Sequence, residues 1–477
     1  MAAEFNIADL EHWDELILEK VAEYGLDCYP QEFEVCNHSQ MLSYMAYSGM
    51  PSHYPHWSYG KSYEKTKTLY DYGVSGLPYE MVINSNPSLA YLMTDNSLLL
   101  QILTIAHVYG HNDFFKNNFT FKTTNADYTI QGFKLHADRI RSYIEDPSIG
   151  LSAVESILDA AQALSFQCRR NLAIAKTSRK SAEENLMQKE QGDIDPYHRI
   201  HKKKKTKKQD LHKIPIEPDE DLLLFIRDHN PFLAEWEKDV LTIVHQEAQY
   251  FIPQVETKIM NEGWASFWHR EIVHSLDLPQ ELHLEFLVRH NQVIRPHPGG
   301  VNPYHVGLRL WDEILLADSD LNYGDRTPGQ GIDKTSLARM FQVREVDRDV
   351  SFLRRFLTEE LVRELNMFQH EEVGKERVIT RVADSDDWSV IKESFLRSIG
   401  TGTLPVIRVV DADFKHNRSL YLEHCHDGRD LQLEYTEKTL AFVYRLWGRP
   451  VHLATRIDDE KKLLAFSDEG FELAGAN

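Results

Sequence analysis

Two histidines spaced four residues apart are the strongest candidates for chemistry in this sequence. His107 and His111 lie in HVYGHNDFFKNN (107–118), inside an apolar run that predicts a buried helix. Residues i and i+4 of a helix share one face, so both imidazoles can point at one metal ion. Zinc at a catalytic site usually takes a third protein ligand and leaves one position for water. The sequence therefore has to supply that ligand from another element.

The third ligand is expected from a second predicted helix. The stretch KIMNEGWASFWH (258–269) contains Asn-Glu-Gly-Trp-Ala, which resembles the Asn-Glu-Gly-Phe-Ala segment of gluzincin aminopeptidases. This resemblance implies that Glu262 is the third metal ligand. It also implies that the cofactor is zinc or another divalent ion. A short edge strand, expected at 79–84, is typical of the same enzymes and could align an extended substrate.

One residue departs from the peptidase pattern. Val108 stands where a zinc peptidase of the His-Glu-x-x-His type has the glutamate that activates water. Another helix would have to provide the base. We expect Glu155 to act as this base, because it lies on an otherwise apolar helix and a carboxylate facing a core needs a partner. A pairing of Glu155 with Asp159 on the helix surface is the alternative.

Further polar residues are candidates for contact with a substrate. His269 is seven residues beyond Glu262, about 10.5 Å along a helix, so the two cannot easily bind one ion. His269 could contact substrate or an oxyanion instead, and the alternative is an ordinary polar residue of the helix. Tyr304 and His305 could stabilise an oxyanion. Polar and aromatic residues in two Gly/Pro-rich loops could line a cleft, with loop packing as the alternative. These loop residues are Tyr54, His56, Trp57, Tyr59, Lys61, Arg295 and His297.

The pattern along the chain predicts an α+β fold with a mainly helical, zincin-like N-terminal region. Helices are expected at 9–26, at 85–93, around the paired histidines and over most of 131–175. A charged stretch with the run Lys202–Lys205 predicts a loop or linker at 176–218. Helices then return over 219–372 and complete the first domain. Alternating strands and helices predict a small α+β domain at 375–477.

Composition excludes several classes of protein. The chain has 477 residues, with 53 basic and 74 acidic side chains and a net charge of −21. A field of this sign disfavours nucleic acid as a partner. No apolar run reaches membrane-span length, and no signal peptide is apparent. The four cysteines form no C-x-x-C pair, which favours a reducing cytoplasm.

Several long motifs together resemble the stage V sporulation protein R (SpoVR) family over about residues 9–470. They are GMPSHYPHWSYGKSYE, YEMVINSNPSLAYLM, HVYGHNDFFKNN, TKIMNEGWASFWH and NPYHVGLRLW. The resemblance implies a cytoplasmic bacterial protein tied to formation of the spore cortex, a modified peptidoglycan. With the histidine pair, it suggests a metal-dependent amide hydrolase acting on a peptide or peptidoglycan precursor. The alternative is a non-enzymatic assembly or regulatory protein with a structural metal or none, which docks a partner through its C-terminal domain.

Overall fold

The protein is described by a computed structural model that covers most of the chain. It describes residues 5–72, 80–169, 218–296, 300–317, 326–329, 331–373, 376–383 and 387–475. The charged stretch at 176–217, with its lysine run, therefore lies outside the described residues, as does His297. Within the described part, no helix is both long and apolar enough to cross a membrane.

The chain divides into two compact units. The first combines residues 1–141 and 249–403, and the second combines residues 142–248 and 404–477. The division falls inside two helices, α5 (Thr129–Glu145) and α8 (Glu235–Glu256). It differs from the predicted domains, because residues 142–169 and 218–248 group with the C-terminal strands, whereas residues 376–403 group with the histidine helix.

The first unit is mainly helical. Its helices, besides parts of α5 and α8, are α1 (Ile7–Tyr24), α2 (His38–Ala46), α3 (Trp57–Asp71), α4 (Leu98–Asn117), α9 (Lys258–Ser275), α10 (Gln280–Val293), α11 (Pro303–Leu316), α12 (Lys334–Val346), α13 (Asp349–Phe356), α14 (Glu359–Glu364) and α15 (Trp388–Ser398). Helices α4, α9 and α11 pack at its centre, where Trp264, Trp268 and Trp311 are fully buried.

Glycines let the three central helices approach closely. A Cβ at Gly110 of α4 would lie 2.7 Å from Cα of Ala265 on α9. A Cβ at Gly263 of α9 would lie 2.3 Å from the carbonyl carbon of Gly307 on α11. Real side chains do not tolerate such distances, so these positions require glycine. Both α4 and α9 therefore meet their neighbours beside the candidate ligands His111 and Glu262.

A three-stranded sheet packs against the histidine helix. Its order is β1 (Gln31–Cys36), β3 (Ser88–Met93), β2 (Glu80–Ile83), with β1 parallel and β2 antiparallel to β3. The strand expected at 79–84 is thus present at an edge. The helix expected at 85–93 is wrong: Ser88–Met93 is the central strand, because its mainly apolar side chains are covered on both faces.

A two-stranded sheet and a separate five-stranded sheet complete the strands. Strands β4 (Phe368–Val373) and β5 (Glu376–Val382) are antiparallel and belong to the first unit. Residues 368–373 were expected to end a helix. The second unit has the sheet order β10-β9-β8-β7-β6, formed by β6 (Ile407–Phe414), β7 (Ser419–His424), β8 (Val451–Ile457), β9 (Glu460–Ser467) and β10 (Gly470–Gly475).

Helices pack on the five-stranded sheet of the second unit. They are α7 (Leu222–His229) and α16 (Leu433–Trp447), and α6 (Leu151–Ala163) packs against α16. Strands β7 and β8 are parallel, and α16 forms the crossover between them. A mainly helical first unit and a small C-terminal sheet domain confirm the predicted α+β class.

Candidate metal centre

The histidine helix α4 is buried along almost its whole length. The side chain of Ser97 accepts from the amide of Leu100 at 3.3 Å, so Ser97 caps the N-terminus of the helix. Asp113, one turn beyond Tyr109, accepts from Arg344 at 2.6 Å and from the Trp264 indole at 2.9 Å. These bonds join α4 to α12 and α9, and they fix the rotation of α4 about its own axis.

The glutamate helix α9 is fixed at its start by a buried carboxylate. The two oxygens of Asp349 accept from the amides of Ile259 and Met260, at 2.9 and 2.8 Å. These are amides that a helix N-terminus leaves without partners. Burial raises the pKa of Asp349 to about 7. The first turn of α9 thereby holds Glu262 in place.

The structure brings His107, His111 and Glu262 together. Oε2 of Glu262 lies 3.7 Å from Nε2 of His107 and 3.5 Å from Nε2 of His111. Among the described residues, Nε2 of His107 and Oε2 of Glu262 are buried without a hydrogen-bond partner. The three potential ligand atoms, Nε2 of His107, Nε2 of His111 and Oε2 of Glu262, thus face one another, and Oε2 lies farther from each nitrogen than in a normal hydrogen bond.

A fourth side chain, which sequence reasoning did not identify, joins this cluster. Glu80 of the edge strand β2 has Oε1 3.9 Å from Nε2 of His107. The ligand atoms of Glu80, His107 and His111 all lie within 4.8 Å of one another, so this group could hold a metal ion. The only sequence signal was an acidic residue in the edge strand expected at 79–84.

The electrostatics of the cluster follow from burial and mutual contact. Although burial opposes charge, the adjacent imidazoles of His107 and His111 hold the pKa of Glu262 well below its usual range. The pKa of His111 is raised by Glu262, against the effect of burial. Burial instead raises the pKa of Glu80. Glu262 is therefore firmly ionised, whereas Glu80 binds a proton more tightly than a free glutamate side chain does.

Both histidines have outer partners on α9. Nδ1 of His111 lies 2.9 Å from Oδ1 of Asn261, and Nδ1 of His107 lies 2.9 Å from Nδ1 of His269. Nε2 of His269 in turn lies 2.7 Å from Nδ1 of His290. His269 is completely buried and burial holds its pKa well below the usual value, so its placement does not fit the predicted contact with substrate.

Tyr304 reaches the cluster from the start of α11. The Asn302 side chain accepts from the amide of Tyr304 at 3.0 Å, and Pro303 occupies the first helical turn. The charge of Glu262, together with burial, raises the pKa of Tyr304. The phenol therefore stays protonated and can donate a hydrogen bond.

A cavity of about 1360 Å³ opens beside the cluster, inside the first unit. Glu80, His111, Glu262, Tyr304 and His305 line it, together with residues of α8, α13 and α15. The cavity is large enough for a peptide-sized ligand. It gives the candidate metal centre one side that a substrate can reach.

Other residues expected near a substrate lie elsewhere. His53 bonds Tyr59 at 2.9 Å in an aromatic cluster with Tyr54 and Phe133. The described lining of the cavity does not include Tyr54, His56, Trp57, Tyr59, Lys61 or Arg295. Glu155 is half-buried on α6, in the second unit, and is also outside that lining.

Comparisons with known proteins identify the family. A family model described as SpoVR like protein matches residues 4–404, and one described as SpoVR-like C-terminal domain matches residues 405–458, next to the unit boundary. The "Uncharacterized protein YcgB" of Escherichia coli (strain K12) is 32% identical over 469 residues, covering 93% of this chain and 91% of its own length. No solved structure matches the chain significantly. The chain therefore belongs to the SpoVR family.

Proposed function

We propose that the chain is a metal-dependent hydrolase of amide bonds, with the metal held by His107, His111 and Glu262. The observation that supports this most is the spacing of their donor atoms, at 3.5 and 3.7 Å. A hydrogen bond would be about 2.7–3.2 Å. Ligands placed about 2.1 Å from a tetrahedral ion are about 3.4 Å apart. The spacing thus fits atoms that share an ion better than atoms that bond each other.

The neighbouring side chains suit hydrolysis of an amide. A bound divalent ion would polarise the scissile carbonyl and lower the pKa of a water molecule. Tyr304 keeps its phenolic proton and lines the cavity, so it can donate to the oxygen that becomes negative. His305, which lines the same cavity, can contact the substrate.

The missing base of the peptidase pattern has a replacement close to the histidines. Glu80 has its carboxylate 3.9 Å from His107, and burial raises its pKa, as suits a group that accepts a proton. Glu155 remains the candidate from sequence. Glu80→Gln should abolish activity and keep the metal if Glu80 is the base, whereas Glu155→Gln should do so if Glu155 is. Activity retained in one variant excludes that residue.

The substrate class follows from the family and the cavity. Membership of the SpoVR family fits a role related to sporulation. The cavity beside an edge strand suits an extended chain, and we propose a peptide or a peptidoglycan precursor, processed in the cytoplasm. Glu80 and Val82 of β2 form part of the cavity wall. An extended backbone could lie along this strand.

Elemental analysis of the untagged protein tests the proposal. We expect close to one divalent ion per chain, and less than a tenth of that in His111→Ala and Glu262→Ala. Purified protein should also cleave peptides or peptidoglycan fragments, detected by mass spectrometry, and lose this activity in His111→Ala. An ion content unchanged by either substitution would exclude this site.

A second candidate function rests on Glu80 as a fourth ligand. Four protein ligands close a zinc site and make it structural, which would suit a non-enzymatic assembly or regulatory protein of the sporulation pathway that docks a partner through its C-terminal domain. Under this alternative, Glu80→Gln should lower zinc affinity at least tenfold, and cobalt-substituted protein should show no exchangeable water. Unchanged affinity in Glu80→Gln favours the hydrolase.

A further inference from the structure

Three buried histidines form one line of hydrogen bonds that begins at the candidate metal centre. His107 lies on α4, His269 on α9 and His290 on α10, and the two contacts are 2.9 and 2.7 Å long. Each contact joins ring nitrogens, so in each pair one nitrogen must donate and the other must accept. The protons of this line are therefore coupled, and only two neutral arrangements are possible.

In the first arrangement, His107 carries its proton on Nδ1 and donates to His269. His269 then carries its proton on Nε2 and donates to Nδ1 of His290. The lone pair of His107 Nε2 faces Glu262 and Glu80. All contacts in the line are satisfied without any charge in a fully buried setting.

In the reverse arrangement, the proton of His107 would sit on Nε2. The nearest carboxylate oxygens are then 3.7 and 3.9 Å away, beyond hydrogen-bond range, so the donor would be buried without a partner. The free-energy cost of this unpaired buried donor disfavours the reverse arrangement. The same tautomer is favoured in His111, whose Nδ1 faces Oδ1 of Asn261, an atom that can only accept.

We propose that His269, with His290 behind it, is a positioning residue that fixes the tautomer of His107 so that its Nε2 lone pair faces the metal. The inference rests on the proposed metal centre and adds to it. Partners of this kind orient a ligand, and their loss typically costs about 10–100-fold in metal affinity. An imidazole in this role also needs an acceptor of its own, which His290 provides.

Two measurements on the full chain test this role. The first is zinc affinity of chelator-treated protein, by competition with a fluorescent chelator. We expect His269→Leu to lower the zinc affinity about 10–100-fold. His269→Asn keeps an acceptor near the position of Nδ1 and should stay within about threefold of wild type. His290→Leu should lower the zinc affinity less than His269→Leu does. His274→Leu, on the same helix and outside the line, is the matched control and should match wild type.

The second measurement needs no metal. Nitrogen-15 shifts of labelled histidines report which ring nitrogen is protonated. In metal-free wild type, His107 should have a protonated Nδ1 and a bare Nε2, whereas His269→Leu should give a mixture. A bare Nε2 that persists in His269→Leu, with unchanged zinc affinity, overturns the inference. If wild type binds no zinc, the proposed function fails, while the shifts still decide whether His269 fixes the tautomer.

Discussion

At the scale of single residues, a few side chains account for the chemistry of the candidate site. The two histidines are held from outside by Asn261 and His269, and Glu262 faces both. Only Glu262 was expected from the sequence as a ligand from α9. Asn261 directly precedes it, so one short motif supplies a candidate ligand and the partner of another ligand.

Zinc affinity should depend on pH through His111. Glu262 raises the pKa of this imidazole, which must lose its proton before Nε2 can bind a metal. Glu262 is already ionised, so its protonation does not compete. We expect affinity to rise with pH and to level off above the pKa of His111, with one proton released per ion below it. Calorimetry in buffers of different ionisation enthalpy measures this release, and an affinity that falls with pH would contradict the assignment.

Asp349 should make metal-free protein less stable as pH rises. Its pKa is about 7 in the folded protein against 3.8 for the free side chain, so the folded state binds the proton more tightly. This contribution is complete below about pH 4 and is lost as pH rises to about 7. Over this range, we expect the unfolding free energy of the wild type to fall by about 4 kcal/mol more than that of Asp349→Asn.

Urea unfolding of metal-free protein at several pH values measures the effect of Asp349. Asp333 caps α12 in a similar way but is exposed, so Asp333→Asn is the matched control. The control should keep the pH dependence of wild type. Equal pH dependence in Asp349→Asn and wild type would contradict the raised pKa.

At the scale of elements, three helices and one edge strand assemble the site. The helical spacing of His107 and His111 was readable from sequence because α4 is regular. The approach of α9 was expected only from the resemblance of its Asn-Glu-Gly motif to gluzincins, since periodicity does not report which helices meet. The helix predicted at Ser88–Met93 is wrong because a short apolar run fits a buried helix and a central strand equally well.

Close helix contact at glycine should control both stability and metal binding. In Gly263→Ala, the new Cβ would lie 2.3 Å from the Gly307 carbonyl carbon, so α9 and α11 would have to separate. We expect a loss of about 3 kcal/mol or more in unfolding free energy and weaker zinc binding. Gly132→Ala, in α5, meets nothing within 4 Å and should gain up to about 1 kcal/mol. Similar behaviour of the two variants would contradict tight packing at Gly263.

At the scale of the whole molecule, a small sheet domain accompanies a helical unit that contains the entire candidate site. The α+β class was predictable because the sequence pattern changes clearly towards the C-terminus, from mainly helical segments to alternating strands and helices. The grouping of residues was not, since the first unit is discontinuous in sequence and local patterns do not report such pairing. Family membership extends over both units.

Metal binding should protect the first unit selectively. A ligand that binds only the folded state stabilises it by about 2.7 kcal/mol at one hundred times its Kd. We expect zinc to slow amide hydrogen exchange in α4, α9 and the start of α11. Peptides from β6 to β10 serve as the internal control and should exchange at an unchanged rate. Equal protection of both units would contradict a site confined to the first.

The glycine contacts of α9 also determine how this helix can turn about its own axis. Neighbouring positions on a helix are about 100° apart. A turn by one position would bring the Trp264 indole to the place where Gly263 meets Gly307, and the two helices could no longer touch. Asn261, Glu262 and His269 therefore keep one common orientation, and the candidate site is either fully assembled or fully lost.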